Sequence, residues 1–266
     1  MKKSLFIMFV AVSALLVCLV ACKPGPSTPV ETGEDGFIHV STWAEFEQGL
    51  VDAKSTDKKT VILDKNLTFD STTYTSSTPY GQNVTGLTID LGGYKINGVN
   101  SCAFRLFGDF TIKNGTITGS GDSYGLLINS NNTTSGVDYN PETRENHAVT
   151  VQNLKLVDCG IRAELSTITV SNCEIQNSGT SGNSNALYFV GAVATITGGK
   201  LSQTATAVET ISRTDCVYCS GKSTVHVSGV TLEGTKRMNA YSNTVEFTVT
   251  NCAGAVTTTP TVVTIN

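Results

Sequence analysis

Arg105, Arg162, Tyr188, Tyr218 and Tyr241 each stand directly after an apolar residue, respectively Phe104, Ile161, Leu187, Val217 and Ala240, at the head of a short stretch of alternating character. Neighbouring side chains of an extended strand point to opposite faces. If the first member of each pair is buried, the second faces outward. A tyrosine ring offers a flat apolar face with a hydroxyl at its rim, which matches a sugar ring and its hydroxyls. An arginine fork grips a carboxylate or sulfate through two bonds. The five side chains therefore form a candidate polysaccharide-binding column. The same residue types are also ordinary on an exposed sheet, where aromatic ladders stabilise neighbouring strands.

Catalytic candidates are fewer. Elimination from an acidic sugar needs a base at the acidic carbon and a cation for the enolate, whereas glycoside hydrolysis needs two carboxylates set apart across the bond. Arg162 and Glu164 share one strand face and read first as a surface ion pair, with a base and its partner as the second reading. Asp109 and Asp215 lie near strand ends without the clustered aspartates that calcium requires. His39, His147 and His226 are scattered, and His226 alternates with Val225 and Val227 as an outward strand residue. The insertion GVDYNPETRENH at 136–147 carries Asp138, Glu142 and Glu145, but their spacing fits no calcium loop, so it reads as a solvated surface loop. Cys216 and Cys219 are spaced like a redox or zinc pair, yet strand positions three apart face opposite ways and no second pair or histidine lies nearby. No cofactor and no metal site is expected, calcium being the one ion the insertion could attract.

The elements that must position these residues repeat along the chain. The stretch ALYFVGAVATITGGKL at 186–201 holds an apolar run, a small-residue bend, the alternation Ala194-Thr195-Ile196-Thr197, a Gly198-Gly199 corner and a further alternation from Lys200. Near-copies include FTIKNGTI, VTVQNLKL, ITVSNCEI, VHVSGVTL and FTVTNCAG. The corner residues Gly93, Asn114, Asn153, Asn172, Gly198, Gly229 and Asn251 are separated by 21, 39, 19, 26, 31 and 22 positions. A period near twenty built from alternating strands means a solenoid of β-coils, stretched where loops are inserted. Asn and Gly are the types that take a left-handed backbone conformation at least cost. Before the first coil at 60–63, a short strand at 37–40 leads into a helix at 42–54. Thr42 and Glu45 form its capping box, with Trp43, Phe46, Leu50 and Ala53 on one face, and it covers the open end of the stack. The Ser/Thr-rich 70–82 is an excursion, and the register of 124–128 is hidden by the long segment after it.

With its cap helix, its T-[IV]-x-[NG] corners and three strands per coil, the chain resembles the right-handed parallel β-helix proteins of the pectate-lyase-like superfamily over about residues 37–266. The resemblance implies an all-β, single-stranded right-handed parallel β-helix of about eight coils, about 40 Å long at roughly 4.8 Å per coil. In such proteins the first-strand sheet floors a saccharide groove, whose walls here would be the loops at 129–147, 176–185 and 202–215. The fold hosts lyases, hydrolases, adhesins and phage proteins. The paired-aspartate motifs of its hydrolases and the calcium and arginine motifs of its best-known lyases are absent from this sequence. A surface that binds polysaccharide is therefore the first expectation, a lyase or glycosidase in the same groove the second, and a structural or adhesive surface protein the third.

Compartment follows from the amino terminus. Met1-Lys2-Lys3 and an apolar run to Val20 form an export signal, although the run approaches the length of a membrane span. Leu19-Val20-Ala21-Cys22 resembles the lipobox of bacterial lipoproteins, so cleavage would leave Cys22 lipidated as the new terminus and anchored to the membrane. Lys23 after the cysteine points to the outer membrane. The expected parts are a signal peptide at 1–21, a lipidated tether at 22–36 rich in proline, glycine and acids, and the β-helix at 37–266. The net charge of −4 falls to −6 once Lys2 and Lys3 are removed, and nucleic acid is an unsuitable partner for so acidic a chain. Six cysteines remain after Cys22, at repeat positions that suit small core residues better than bridges.

Overall fold

The computed structural model describes residue 30 and residues 32–69, 85–99, 104–121, 124–129, 147–180, 184–204, 215–234, 236–240, 245–254 and 263–265. Cys22, Cys102, Tyr241, the excursion at 70–82 and, of the expected wall loops, residues 130–146, 181–183 and 205–214 lie outside these residues.

Alternating stretches form strands because one side of each can be buried against the same side of the next repeat. Val61, Ile89, Ile112, Val151, Val170, Ile196, Val227 and Val249 stand in register in successive parallel strands, and each is at most 2% exposed. The residue before each of the last seven forms an outward column of Thr88, Thr111, Thr150, Thr169, Thr195, His226 and Thr248. β-branched side chains suit this pleated, half-exposed surface, and cross-strand pairs of them add stability. A second inward column, Leu67, Ile96, Ile117, Leu156, Ile175, Leu201 and Leu232, follows the corners.

The result is a parallel β-helix. The second and third strands of each coil belong to one 15-stranded sheet that bends at the corners, and two strands, Phe110–Gly119 and His147–Val157, run through the bend without a break. The first strands form a separate six-stranded sheet in the order Lys236–Ala240, Asp215–Ser220, Leu187–Val190, Gly160–Glu164, Tyr124–Ile128, Phe104–Leu106. Ten strands stack along the longest path among the described residues, against the expected eight or so coils; nine spacings give about 43 Å.

All seven corner markers have positive φ, from 52° at Asn172 and Asn251 to 82° at Gly93. Between Thr197 and Lys200 the corner is two residues long, in register with Asn172-Cys173. A Cβ on Gly199 would sit 2.2 Å from the Cys173 carbonyl oxygen, so only glycine fits there. The corner at Gly92-Gly93 is wider: four residues separate Asp90 from Lys95 where two separate Lys113 from Thr116. Side-chain amides link some corners, Asn153 donating to Asn114 Oδ1 at 3.3 Å and Asn114 to Asp90 at 3.2 Å.

The helix spans Trp43–Ser55, with Thr42 as N-cap and the capping box formed: Glu45 N donates to Thr42 Oγ1, and Glu45 Oε2 accepts from Thr42 N. Trp43, Phe46, Leu50 and Ala53 are buried in the core, and the preceding strand is Ile38–Val40. Cys159, Cys173, Cys216 and Cys219 are buried free thiols and Cys252 is a half-buried one. Cys216 and Cys219 are both fully enclosed, as suits small core residues. Burial pushes the Cys159 thiol up to about 12 and the Cys219 thiol well above its ordinary value.

Candidate functional site

The first-strand sheet carries the predicted column, and its register is now fixed. Along the outer face run Arg105, Leu127, Arg162, Tyr188, Tyr218 and Asn239. Leu127 fills the coil that the sequence left unplaced. Tyr218 is followed by Asn239, and Met238 rather than Ala240 stands beside Val217; Tyr241 lies outside the described residues.

The face is closed, which corrects the expectation of an exposed platform. Tyr188 is 7% exposed and Tyr218 2%. Together with Tyr124, Leu127 and Val190 they make a second apolar cluster outside the main core. The Tyr188 and Tyr218 rings meet edge to face with centroids 5.0 Å apart, and Tyr124 lies 6.0 Å from Tyr188. Tyr188 Oη shares a 3.2 Å hydrogen bond with Ser220 Oγ. Ring faces used in this way are not free to stack on a sugar.

Arg162 sits over the Tyr188 ring, its guanidinium carbon 4.9 Å from the centroid, and its Nη2 lies 2.5 Å from Glu164 Oε1. Sequence reasoning allowed a surface ion pair here; Glu164 is 2% exposed, so the pair is largely buried. Burial works against the Arg162 charge, but Glu164, Tyr188 and Tyr124 together outweigh it, and the Arg162 pKa lies above its ordinary value. A carboxylate held by a buried guanidinium is a poor base for an external substrate. Arg105 is also buried, and its Nε has no hydrogen-bond partner.

At the edge of this sheet a polar network joins the coils. Asn185 donates to Tyr124 Oη at 3.2 Å, its Oδ1 accepts from Asp215 N at 3.0 Å, and its carbonyl accepts from Asn177 Nδ2 at 3.2 Å. Asp215 is fully buried and accepts from Asn239 Nδ2 at 3.2 Å. Asp109 pairs with His147 at 3.4 Å and accepts from Ala148 N. His39 bridges Asp64 at 2.8 Å and Asp35 at 3.0 Å beside the cap. His226 is exposed in the threonine column, as expected from its alternation. Among the described residues no group of three histidine, cysteine or carboxylate side chains is arranged to hold a metal ion.

An open cleft lies elsewhere, on the outer face of the third strands, and the sequence did not single it out. It is lined by Lys155, Glu174, Gln176, Lys200, Ser202, Thr204 and Glu233 with parts of Leu156 and Ile175, and encloses about 200 Å³. Four successive strands contribute: Lys155, Glu174 and Lys200 are neighbours in register, and Gln176, Ser202 and Glu233 form the parallel column two residues on. Lys155 Nζ meets Glu174 Oε2 at 3.1 Å, and Lys200 Nζ meets Glu233 Oε1 at 2.9 Å. Ser202, 3% exposed, forms the floor and reaches Glu233 Oε2 at 3.5 Å. The signal available in the sequence was the polar residues flanking the apolar one after each corner: Lys155 before Leu156, then the pairs Glu174 and Gln176, Lys200 and Ser202, Thr231 and Glu233.

Residues 37–157 match the family described as "Putative pectate lyase-like adhesive domain". The parallel sheets continue beyond the matched segment to residue 265, so the chain carries a pectate-lyase-like β-helix domain. No curated protein and no solved structure matches the chain. Among the described residues no helix is long and apolar enough to cross a membrane.

Proposed function

We propose that the chain is an adhesive protein of the cell surface whose β-helix binds polysaccharide lying along the axis of the stack. The observation that carries this reading is the third-strand cleft, which crosses four consecutive coils with half-exposed polar side chains at a spacing of about 4.8 Å. A rigid sheet holds those side chains in place before a ligand arrives, so little ordering cost opposes binding. The adhesive-domain match supports a surface role through residues 37–157, and it reaches the first of the cleft's four strands. Binding without cleavage fits the arrangement, since Glu164 is tied to Arg162 and the tyrosine face is closed.

A glycan array probed with the full-length chain, followed by reducing-end and unsaturated-product assays on every glycan retained, tests the proposal. Retention without product is the expected result. Retention of nothing refutes polysaccharide binding, and accumulation of product makes the protein an enzyme. Attachment to the envelope through Cys22, with outer-membrane location, belongs to the same proposal. Cells fed a labelled fatty acid should label the wild-type chain and not Cys22→Ser, and an unlabelled wild type removes the anchor.

A further inference from the structure

We infer that the third-strand cleft selects an uncharged, hydroxyl-rich glycan over an acidic one; the inference rests on the polysaccharide-binding reading. Among the described residues its two lysines and two glutamates are paired with each other, Lys155 with Glu174 and Lys200 with Glu233, so this lining carries no net charge for an anionic chain to neutralise. A uronate or sulfate drawn to Lys155 or Lys200 would also face the carboxylate each lysine already holds. Like charges so close are costly. A sugar hydroxyl both donates and accepts, so it can take a bond from a lysine ammonium and give one to the paired carboxylate without breaking the ion pair. An ammonium has three donors and a carboxylate about four acceptor positions, so the ion pair of Lys155 with Glu174 leaves capacity on both sides.

The rest of the lining has the same two-way character. Gln176 presents a carbonyl and an amide, while Ser202 and Thr204 present hydroxyls. Among the described residues no aromatic ring lines the cleft, so recognition by them rests on hydrogen bonds rather than on stacking. A peptide added as an extra strand is excluded geometrically. The strands beneath the cleft, 155–157, 174–177, 200–203 and 231–234, pair with one another in register, and the two in the middle have neighbours on both sides. A peptide strand needs an open sheet edge. Three spacings between four strands give the floor a length of about 14 Å, which suits an oligosaccharide segment along the axis.

The test is calorimetric titration of the full-length chain with cellohexaose, laminarihexaose, mannohexaose and, as the acidic counterpart, hexagalacturonate. At least one neutral oligosaccharide should bind, about tenfold or more tighter than hexagalacturonate, with an affinity that changes little with added salt. Loss of one charge-assisted hydrogen bond in Glu233→Gln should weaken that binding by about tenfold to a hundredfold. Gln176→Ala, at an exposed position, should weaken it while leaving the melting temperature unchanged. Tighter and salt-sensitive binding of hexagalacturonate would overturn the inference. So would neutral binding that both variants retain in full. If none of the four sugars binds and the array is also blank, the polysaccharide reading itself has failed, a result distinguishable from wrong selectivity.

Discussion

Replacing Tyr218 by alanine separates a closed outer face from an open one. An outward tyrosine on an exposed sheet would be lost at little cost to stability. Here the ring is 2% exposed and packed edge to face on Tyr188 at 5.0 Å, within a cluster that includes Tyr124, Leu127 and Val190. Truncating a buried aromatic side chain to alanine costs about 3–5 kcal/mol, of which the ring pair accounts for about 0.5–1.5 kcal/mol. Tyr218→Ala should therefore lose about 3–5 kcal/mol. Tyr188→Phe, which removes only the hydroxyl bonded to Ser220, should lose about 1 kcal/mol. The assay is urea unfolding followed by circular dichroism, which reports the whole stack, and by fluorescence of Trp43, which reports the cap end. Stacked repeats need not unfold in one step, so coincidence of the two curves must be established before free energies are compared. A loss below about 1 kcal/mol for Tyr218→Ala, within the range of surface substitutions rather than core ones, would refute the closed face.

Three further outcomes follow. Ile196→Ala should cost about 2–5 kcal/mol by leaving a core cavity, whereas Thr195→Ala, on the exposed side of the same strand, should cost well under half as much in the same unfolding assay. At the Asn172 corner, where φ is 52°, Asn172→Ala should lose about 1–2 kcal/mol while Asn172→Gly stays close to wild type; equal losses would mean that strain is not what selects the residue. His39 has its pKa raised by its hydrogen bonds to Asp64 and then Asp35, so its contribution to stability is full below its unfolded value of about 6.5 and disappears as pH rises through the folded value. Asp35, lowered by the Phe37 amide and then by His39, contributes above its own unfolded value and loses that contribution as pH falls through the folded one. The melting-temperature difference between wild type and His39→Gln should accordingly shrink between pH 6 and pH 9, and a constant difference would exclude the linkage.

Much of the fold was legible because its requirements are local. A left-handed corner admits Asn or Gly, and all seven marked positions adopt positive φ. A capping box and one apolar face specify the cap helix, and alternation specifies which side of each strand is buried. Alternation does not reveal what covers the other side, which is why Tyr188 and Tyr218 were expected in the open. Nor does it fix register to better than two residues. Met238 and Ala240 point the same way, so a slip of two leaves the inward pattern intact, and Ala240 was placed where Met238 stands. The cleft was the least legible feature. Its lysines and glutamates are single polar residues in four separate repeats, and only the stacking of Lys155, Glu174 and Lys200 and the diagonal reach of Lys200 to Glu233 make them one surface.

Lysine protection tests the central claim most directly. The full-length chain is treated with an amine-acylating reagent, with and without the neutral oligosaccharide that binds best, and modification is read residue by residue by mass spectrometry. Lys155 and Lys200, with 56% and 47% of their side-chain surface exposed, are both open to the reagent in the free protein. Binding in the cleft predicts that the sugar slows modification of these two and leaves Lys54 and Lys58, on and just beyond the cap helix, unchanged. Protection of neither cleft lysine at saturating sugar, or uniform protection of all four, would contradict the account.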